Sequence, residues 1–238
     1  MRKKLAFLIQ LSIITGALVF IFGRSLWYPI YIKVQGGQSI ADVLTSIEAN
    51  ANQGFDTSEY KQLRILCFKE ERILEVWGID ANGSQSKLTE FPFTGYSGQL
   101  GPKLREGDRQ IPEGLYRIEY LNPNSSYHLS MKLDYPNAFD RAKGEIDGRE
   151  QLGYDIFIHG RSATIGCIPI GDPAIEQLFH MVASIGISKV EVVIAPYDMR
   201  VDRKHLEIDG IDWEDELYSL IKHALHKNAP AHEALGQE

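Results

Sequence analysis

The segment from Phe157 to Asp172, FIHGRSATIGCIPIGD, holds the two side chains in the sequence best suited to covalent chemistry. His159 ends an apolar run, Ile156-Phe157-Ile158, and Cys167 opens the next one eight residues later. A cysteine becomes nucleophilic when a neighbouring base or positive charge favours its thiolate. A strand, a loop and a second strand would bring the two side chains together at one end of a sheet. Gly160 and Gly166 leave the backbone open to close approach, and the amides around Gly166 and Cys167 are candidates for an oxyanion hole. Ser162 and Thr164 are placed to hydrogen-bond His159 or an acyl oxygen, or to order the loop. Spacing alone leaves other readings open. A small buried cysteine beside a strand-end histidine gives the same pattern, and so does a structural disulfide to Cys67, the second of two cysteines. Zinc needs three or four ligands and only two soft ones sit here, so neither a metal nor a cofactor is expected.

The elements that must position these residues are mostly β. From Gln62 to Pro196 short apolar runs alternate with turn signals, and strands are expected at Leu63–Phe68, Ile73–Ile79, Gly114–Tyr120, Tyr127–Leu133, Asp155–His159, Cys167–Ile170 and Lys189–Ala195. Lys69-Glu70-Glu71-Arg72 and Asn82-Gly83 read as turns. One helix interrupts the strands, with Asp172 as N-cap, Pro173 at N1, Ile175, Leu178, Phe179 and Val182 on one face, and Gly186 as the stop. Asp172 is therefore better explained as a cap than as a third catalytic member. Ser39 to Asn50 reads as an accessory helix opened by a Ser39/Asp42 capping signature. Leu217, Leu220, Ile221 and Leu225 give the segment Trp213 to His226 helical spacing. The expected organisation is a membrane anchor or signal over residues 1–24, a linker and accessory helix over 25–61, a catalytic domain over 62–200, and a C-terminal helix and tail over 201–238. The fold class is α+β, mostly β with accessory helices.

With 238 residues and 44% hydrophobic content, the sequence can bury one sizeable core. A net charge of -7 without a basic stripe excludes a nucleic-acid partner. Arg2, Lys3 and Lys4 precede Leu5 to Phe22, an uncharged apolar run near the minimum length for a membrane span. No A-x-A site follows it, which favours an uncleaved anchor over a cleaved signal peptide. Positive-inside bias keeps the basic residues in the cytoplasm and sends everything after Arg24 outside, bound to the inner membrane or exported.

Several motifs beside the central segment carry a resemblance. Ile158-His159-Gly160 and Thr164-x-Gly166-Cys167, with Thr94-Gly95, Gly101-Pro102-Lys103 and Ile111-Pro112-Glu113-Gly114 upstream, resemble the L,D-transpeptidase (YkuD) catalytic domain from about Gln62 to Pro196. The resemblance implies a β-sandwich-like scaffold and a Cys167 that forms a thioester with a peptidoglycan stem peptide, resolved by an amine or by water. In the commoner pattern of that family the gap is longer, a histidine stands where Ile165 is, and Arg or Asn stands where Pro169 is. The sequence is similar to a shorter-loop branch in which the upstream histidine, here His159, is the base. The implied partners are peptidoglycan stems and, for a hydrolytic variant, wall-attached protein. A non-catalytic wall-binding module with a structural Cys167 is the remaining alternative. Lys103 and Arg105, beside Asp108 in the glycine-bounded segment Gly101 to Gly107, are expected to meet stem carboxylates or to be plain surface. Tyr135 and Arg141, in a turn-like segment from Asp134 to Arg141, are expected near the substrate or at a structural corner.

Overall fold

The computed structural model describes residues 24–50, 56–201, 206–208 and 210–227, with a few isolated positions before residue 24. The apolar run Leu5 to Phe22 lies for the most part outside the described residues, and the choice between anchor and signal lies there with it. Among the described residues no helix is long and apolar enough to cross a membrane.

Eight strands form one mixed sheet: β1 (Tyr60–Phe68), β2 (Ile73–Asp80), β3 (Gln85–Pro92), β4 (Gly114–Ser125), β5 (His128–Leu133), β6 (Phe157–His159), β7 (Ile168–Pro169) and β8 (Val190–Ala195), in the order β3-β2-β1-β8-β4-β5-β6-β7. Pairing is antiparallel except for β1 with β8 and β6 with β7. β4 joins the two halves. Its first residues, Gly114 to Arg117, pair with β8, and after a bulge near Ile118 the rest pairs with β5. Such a bulge bends the strand and increases its local twist.

The centre of the sheet is buried on both faces, which is why β1 and β8 read as nearly continuous apolar runs. Leu63, Ile65 and Cys67 of β1 and Val190, Val192 and Ile194 of β8 face Ile175, Leu178, Phe179 and Val182, all four on the long helix Asp172–Ile185. Alternate residues Leu66, Phe68, Val193 and Ala195 face Leu217, Tyr218, Ile221 and Leu225 of the C-terminal helix Glu214–His226. Each large apolar side chain fully buried in this way contributes about 1.5–3 kcal/mol. Arg64, between them on β1, is buried and turns its guanidinium to the end of the C-terminal helix. It donates to the Ala224 carbonyl and, at 3.2 Å, to that of Lys227, while Nε pairs with Glu191 at 2.9 Å. The guanidinium thus caps the end of the helix, where carbonyls run short of intrahelical donors; the Ala224 carbonyl also accepts from Lys227 N at 3.3 Å.

In chain order the helices are α1 (Arg24–Gln35), α2 (Ile40–Asn50), α3 (Ala138–Ile146), α4 (Asp172–Ile185) and α5 (Glu214–His226). The Ser39/Asp42 signature forms as expected, with Ser39 N and Oγ donating to Asp42 Oδ2 at 2.8 Å and Asp42 N returning a bond to Ser39 Oγ. Two expectations are corrected. Residues 24–35 are helical rather than linker, and the turn-like stretch before Arg141 leads into α3 through an Asn137/Asp140 capping box. The strand β3 after Asn82-Gly83 was not predicted.

Candidate active site

The short strands β6 and β7 position His159 and Cys167. His159 pairs with Ser130 of β5 on one side and with Pro169 of β7 on the other, while Ile158 pairs with Ile168. Cys167 immediately precedes β7, and this register sets it level with Phe157. His159 and Cys167 thus lie two residues apart along the strands and one strand across, about 8 Å between Cα atoms from strand geometry. The connection is a parallel crossover rather than a hairpin, made by the loop 161–165.

That loop is fastened at both ends. Gly160 is needed because a Cβ there would lie 2.6 Å from Asp172 Oδ1 and 2.7 Å from the Tyr127 carbonyl. Gly166 has φ of +130°, and a Cβ there would come within 3.0 Å of the Gln110 carbonyl. The Thr94 hydroxyl donates to the Arg161 carbonyl and Thr94 N donates to Pro169 O at 2.9 Å. A Cβ on Gly95 would sit 2.0 Å from the Ser162 carbonyl. The Thr94-Gly95 pair is therefore the seat of the loop, and Ser162 itself is exposed. Asp172 is not the N-cap of α4: Gly171 occupies that place without a side-chain cap, and the Asp172 carboxylate accepts the Arg161 N–H at 2.8 Å instead. The helix start secures the loop that follows the histidine.

His159 is buried, and Tyr127 from the β4–β5 turn lies on its ring. Nδ1 lies 2.5 Å from the Gly160 carbonyl oxygen. A carbonyl can only accept, so Nδ1 carries the hydrogen and Nε2 of the neutral ring is the free basic nitrogen. Burial holds the imidazole below its usual value near 6.5, against the raising effect of the Gly160 carbonyl. Burial also pushes the Cys167 thiol up. The Phe157 backbone amide and the more distant Lys103 ammonium oppose that shift, and the Asp155 carboxylate adds to it. The resting pair is a neutral thiol and a neutral imidazole. Sγ makes a long contact of 3.7 Å to the Asp155 carbonyl, and among the described residues no hydrogen bond joins it to His159.

Of the two roles expected for Thr164, the structure shows the ordering of the loop. Its Oγ1 accepts from Gly166 N at 3.3 Å and Cys167 N at 2.9 Å and donates to Cys167 O at 2.7 Å. The two amides assigned to an oxyanion hole are thus committed to Thr164 in the resting state. The reason is local: a hydroxyl two and three residues upstream closes a tight turn around them.

Lys103 is neither an exposed charge nor open to a substrate carboxylate. It is buried, with Nζ donating to Asp108 Oδ1 at 2.6 Å and to Arg105 O at 2.9 Å. Burial would raise the Asp108 carboxyl, but Lys103 and the amides of Arg105, Gln110 and Leu104 outweigh it and hold the group below the usual range. Asp108 thereby shapes the loop whose Gln110 carbonyl backs onto Gly166. Arg105 is exposed. Tyr135 is a structural corner: it is buried, donates to Leu152 O at 2.8 Å, and lies 6.2 Å from the Tyr116 ring. Arg141 is exposed on α3 and donates to the Pro136 carbonyl. Both cysteines are free, and Cys67 lies fully buried in β1, so no disulfide links the strands.

Sequence reasoning missed the support beneath the site. Lys69 belongs to a turn and yet is fully buried, 2.8 Å from Glu113, with further bonds to the carbonyls of Gly101 and Ile111. Glu113 also accepts from Gly101 N at 2.7 Å and from the Tyr218 hydroxyl of α5 at 2.9 Å. The signal was the charge inside Ile-Pro-Glu-Gly, a buried context for a carboxylate. Tyr127 and Asp155 were missed as well. Among the described residues no group of three or more His, Cys, Asp or Glu side chains is placed to hold a metal ion.

The model of the L,D-transpeptidase catalytic domain, YkuD, matches residues 64–194. YafK of Escherichia coli K12, named as a candidate L,D-transpeptidase, is 34% identical over 154 residues, covering 60% of each protein. The present sequence thus spans about 60% of the length of that curated relative. Among solved structures, the helical cell shape determining protein Pgp2 from Campylobacter jejuni aligns over 80% of this chain and 78% of its own, with 18% identity and a TM-score of 0.48. Bd1075 of Bdellovibrio bacteriovorus aligns over 61% and 51%, with 22% identity and a TM-score of 0.42. With the family model spanning more than half of its length and the Cys167 segment inside the match, the chain belongs to the YkuD family of L,D-transpeptidase catalytic domains.

Proposed function

We propose that the protein is a cysteine acyltransferase that acts on peptidoglycan stem peptides through a thioester on Cys167, with His159 as general base and then general acid. The observation that carries the reading is the placement of a neutral imidazole, its Nδ1–H fixed on Gly160 and its Nε2 free, one strand away from a partly accessible free thiol. Nε2 takes the thiol proton as sulfur attacks the carbonyl carbon of a stem residue. The tetrahedral adduct collapses with cleavage of the C–N bond, and the departing amine takes that proton from His159. A second amine then attacks the thioester, giving its proton to Nε2, and the thiolate leaves and is reprotonated. Water in place of the amine gives a free carboxylate.

The hydrolytic alternative is favoured by one feature, the loop 161–165. Arg161, Ser162, Ala163 and Ile165 are all exposed, Ile165 to 77%. Transfer requires that an acceptor reach the thioester before water does, and so short and open a loop gives little cover. The substrates place the working domain outside the cytoplasm, tethered to the inner membrane by Leu5 to Phe22 or exported after its cleavage.

The test is incubation of the protein with purified stem tetrapeptides followed by mass spectrometry of the intact chain. A mass increase on Cys167 equal to the acyl tripeptide, removed by hydroxylamine, is the expected result. Turnover of the stem without any adduct in wild type, and undiminished in Cys167→Ala, would overturn the reading.

A further inference from the structure

Arg161 lies between the two residues assigned to the reaction and has a backbone that few side chains tolerate. Its φ is +58°, in the left-handed region that disfavours any residue with a Cβ. Glycine would occupy the position without strain. The strained conformation is held from three directions. Arg161 N donates to Asp172 Oδ1, Arg161 O accepts from the Thr94 hydroxyl, and the following carbonyl, that of Ser162, is seated on Gly95. The side chain so presented is exposed and has no ion pair among the described residues. A fixed backbone carrying an unpaired guanidinium two residues from His159 is strain stored at a functional position.

By sequence, Lys103 and Arg105 are the cations expected to meet a stem carboxylate. The Lys103 ammonium is buried and committed to Asp108, while Arg105 is exposed in the segment Gly101 to Gly107. Pro169, next to the nucleophile, offers no charge. We infer that Arg161 is a specificity-determining residue of this site and that it binds the free carboxylate of the residue expelled from the stem. The guanidinium offers a planar fork of donors suited to a carboxylate, and its clamped backbone removes part of the ordering cost. The inference rests on the reading of Cys167 as nucleophile. It adds the residue of this chain that reads the terminal carboxylate of the leaving residue.

Arg161→Gly provides the test, because it removes the guanidinium while relieving the backbone. Its melting temperature should be no lower than that of wild type. KM for a tetrapeptide with a free terminal carboxylate should rise about 10- to 100-fold, the worth of one charge-assisted hydrogen bond, with little change in kcat. With the terminal amide of the same peptide, wild type and variant should converge. Arg161→Lys should fall between them on the carboxylate substrate. Equal KM values for wild type and Arg161→Gly on the carboxylate substrate, or an equal loss on both substrates, would overturn the assignment. Protection of Cys167 from iodoacetamide by the two peptides gives the same comparison without turnover. If wild type turns over and is protected but the variants do not differ, the Arg161 inference alone is wrong. If wild type neither turns over nor is protected, the reading of the site fails with it.

Discussion

Tyr127 lies on His159 with ring centroids 4.7 Å apart and planes tilted by 42°. The tyrosine is 38% exposed and the histidine 2%, so the phenol ring is the cover that keeps the imidazole out of water. Burial disfavours the imidazolium and lowers the pKa.

The acid limb of kcat/KM is therefore expected below about 6.5, the ordinary histidine value. Tyr127→Ala admits water, raises the imidazole pKa and moves the limb to higher pH, whereas Tyr127→Phe keeps the cover and the wild-type limb. The same group links stability to pH. Below about 6.5 the unfolded chain takes up a proton that the folded ring resists, so stability is lost as pH falls. pH–rate profiles of the three proteins check the first point. An unmoved limb in Tyr127→Ala would show that another group controls it.

Cys167→Ala should abolish thioester formation while leaving the melting temperature nearly unchanged, since the side chain is small and only half-buried. His159→Ala should slow acylation by about 100-fold or more, the usual contribution of a general base. Higher pH should partly restore that variant as the thiol ionises unaided. Stopped-flow acylation and thermal melts separate these effects, and a His159→Ala enzyme as fast as wild type at neutral pH would require another base.

Lys69→Met should destabilise the fold by about 3–5 kcal/mol, because Glu113 is left charged with no exposure and no cation beside it. Gly101 N, Glu113 and Tyr218 share this network, so the loss extends to the seating of α5 and to the loop bearing Lys103. Urea denaturation measures it. A loss below about 1 kcal/mol would place the carboxylate in contact with water.

The open loop 161–165 predicts that hydrolysis competes strongly with transfer. With tetrapeptide stems and an excess of a D-amino acid, tripeptide product should appear alongside any exchanged tetrapeptide. Exchange or cross-linked dimers with no tripeptide would show that the thioester is shielded by a surface this loop does not supply. Chromatography with mass spectrometry resolves all three products.

The central segment was legible in the sequence because its information is local. Apolar runs ending at His159 and restarting at Cys167, with glycines between, fix two strand ends and a tight loop wherever the rest of the chain goes. The helix over Asp172 to Ile185 was legible for the same reason, its apolar face repeating at helical spacing. Only the tertiary structure decided what each polar side chain does, because hydrogen-bond partners and burial are set by residues far away in sequence. Asp172 looks like a helix cap until Arg161 N is brought to it. Lys103 looks like a surface charge until Asp108 and the loop around it close over it. Lys69 stands in a charged turn and yet is the most deeply buried cation of the site, because the Gly101 to Glu113 loop folds back over the end of β1. Strand register, too, is a long-range property: the parallel pairing of β6 with β7 sets Cys167 level with Phe157 and Pro169 beside His159, and no periodicity within either run specifies that match.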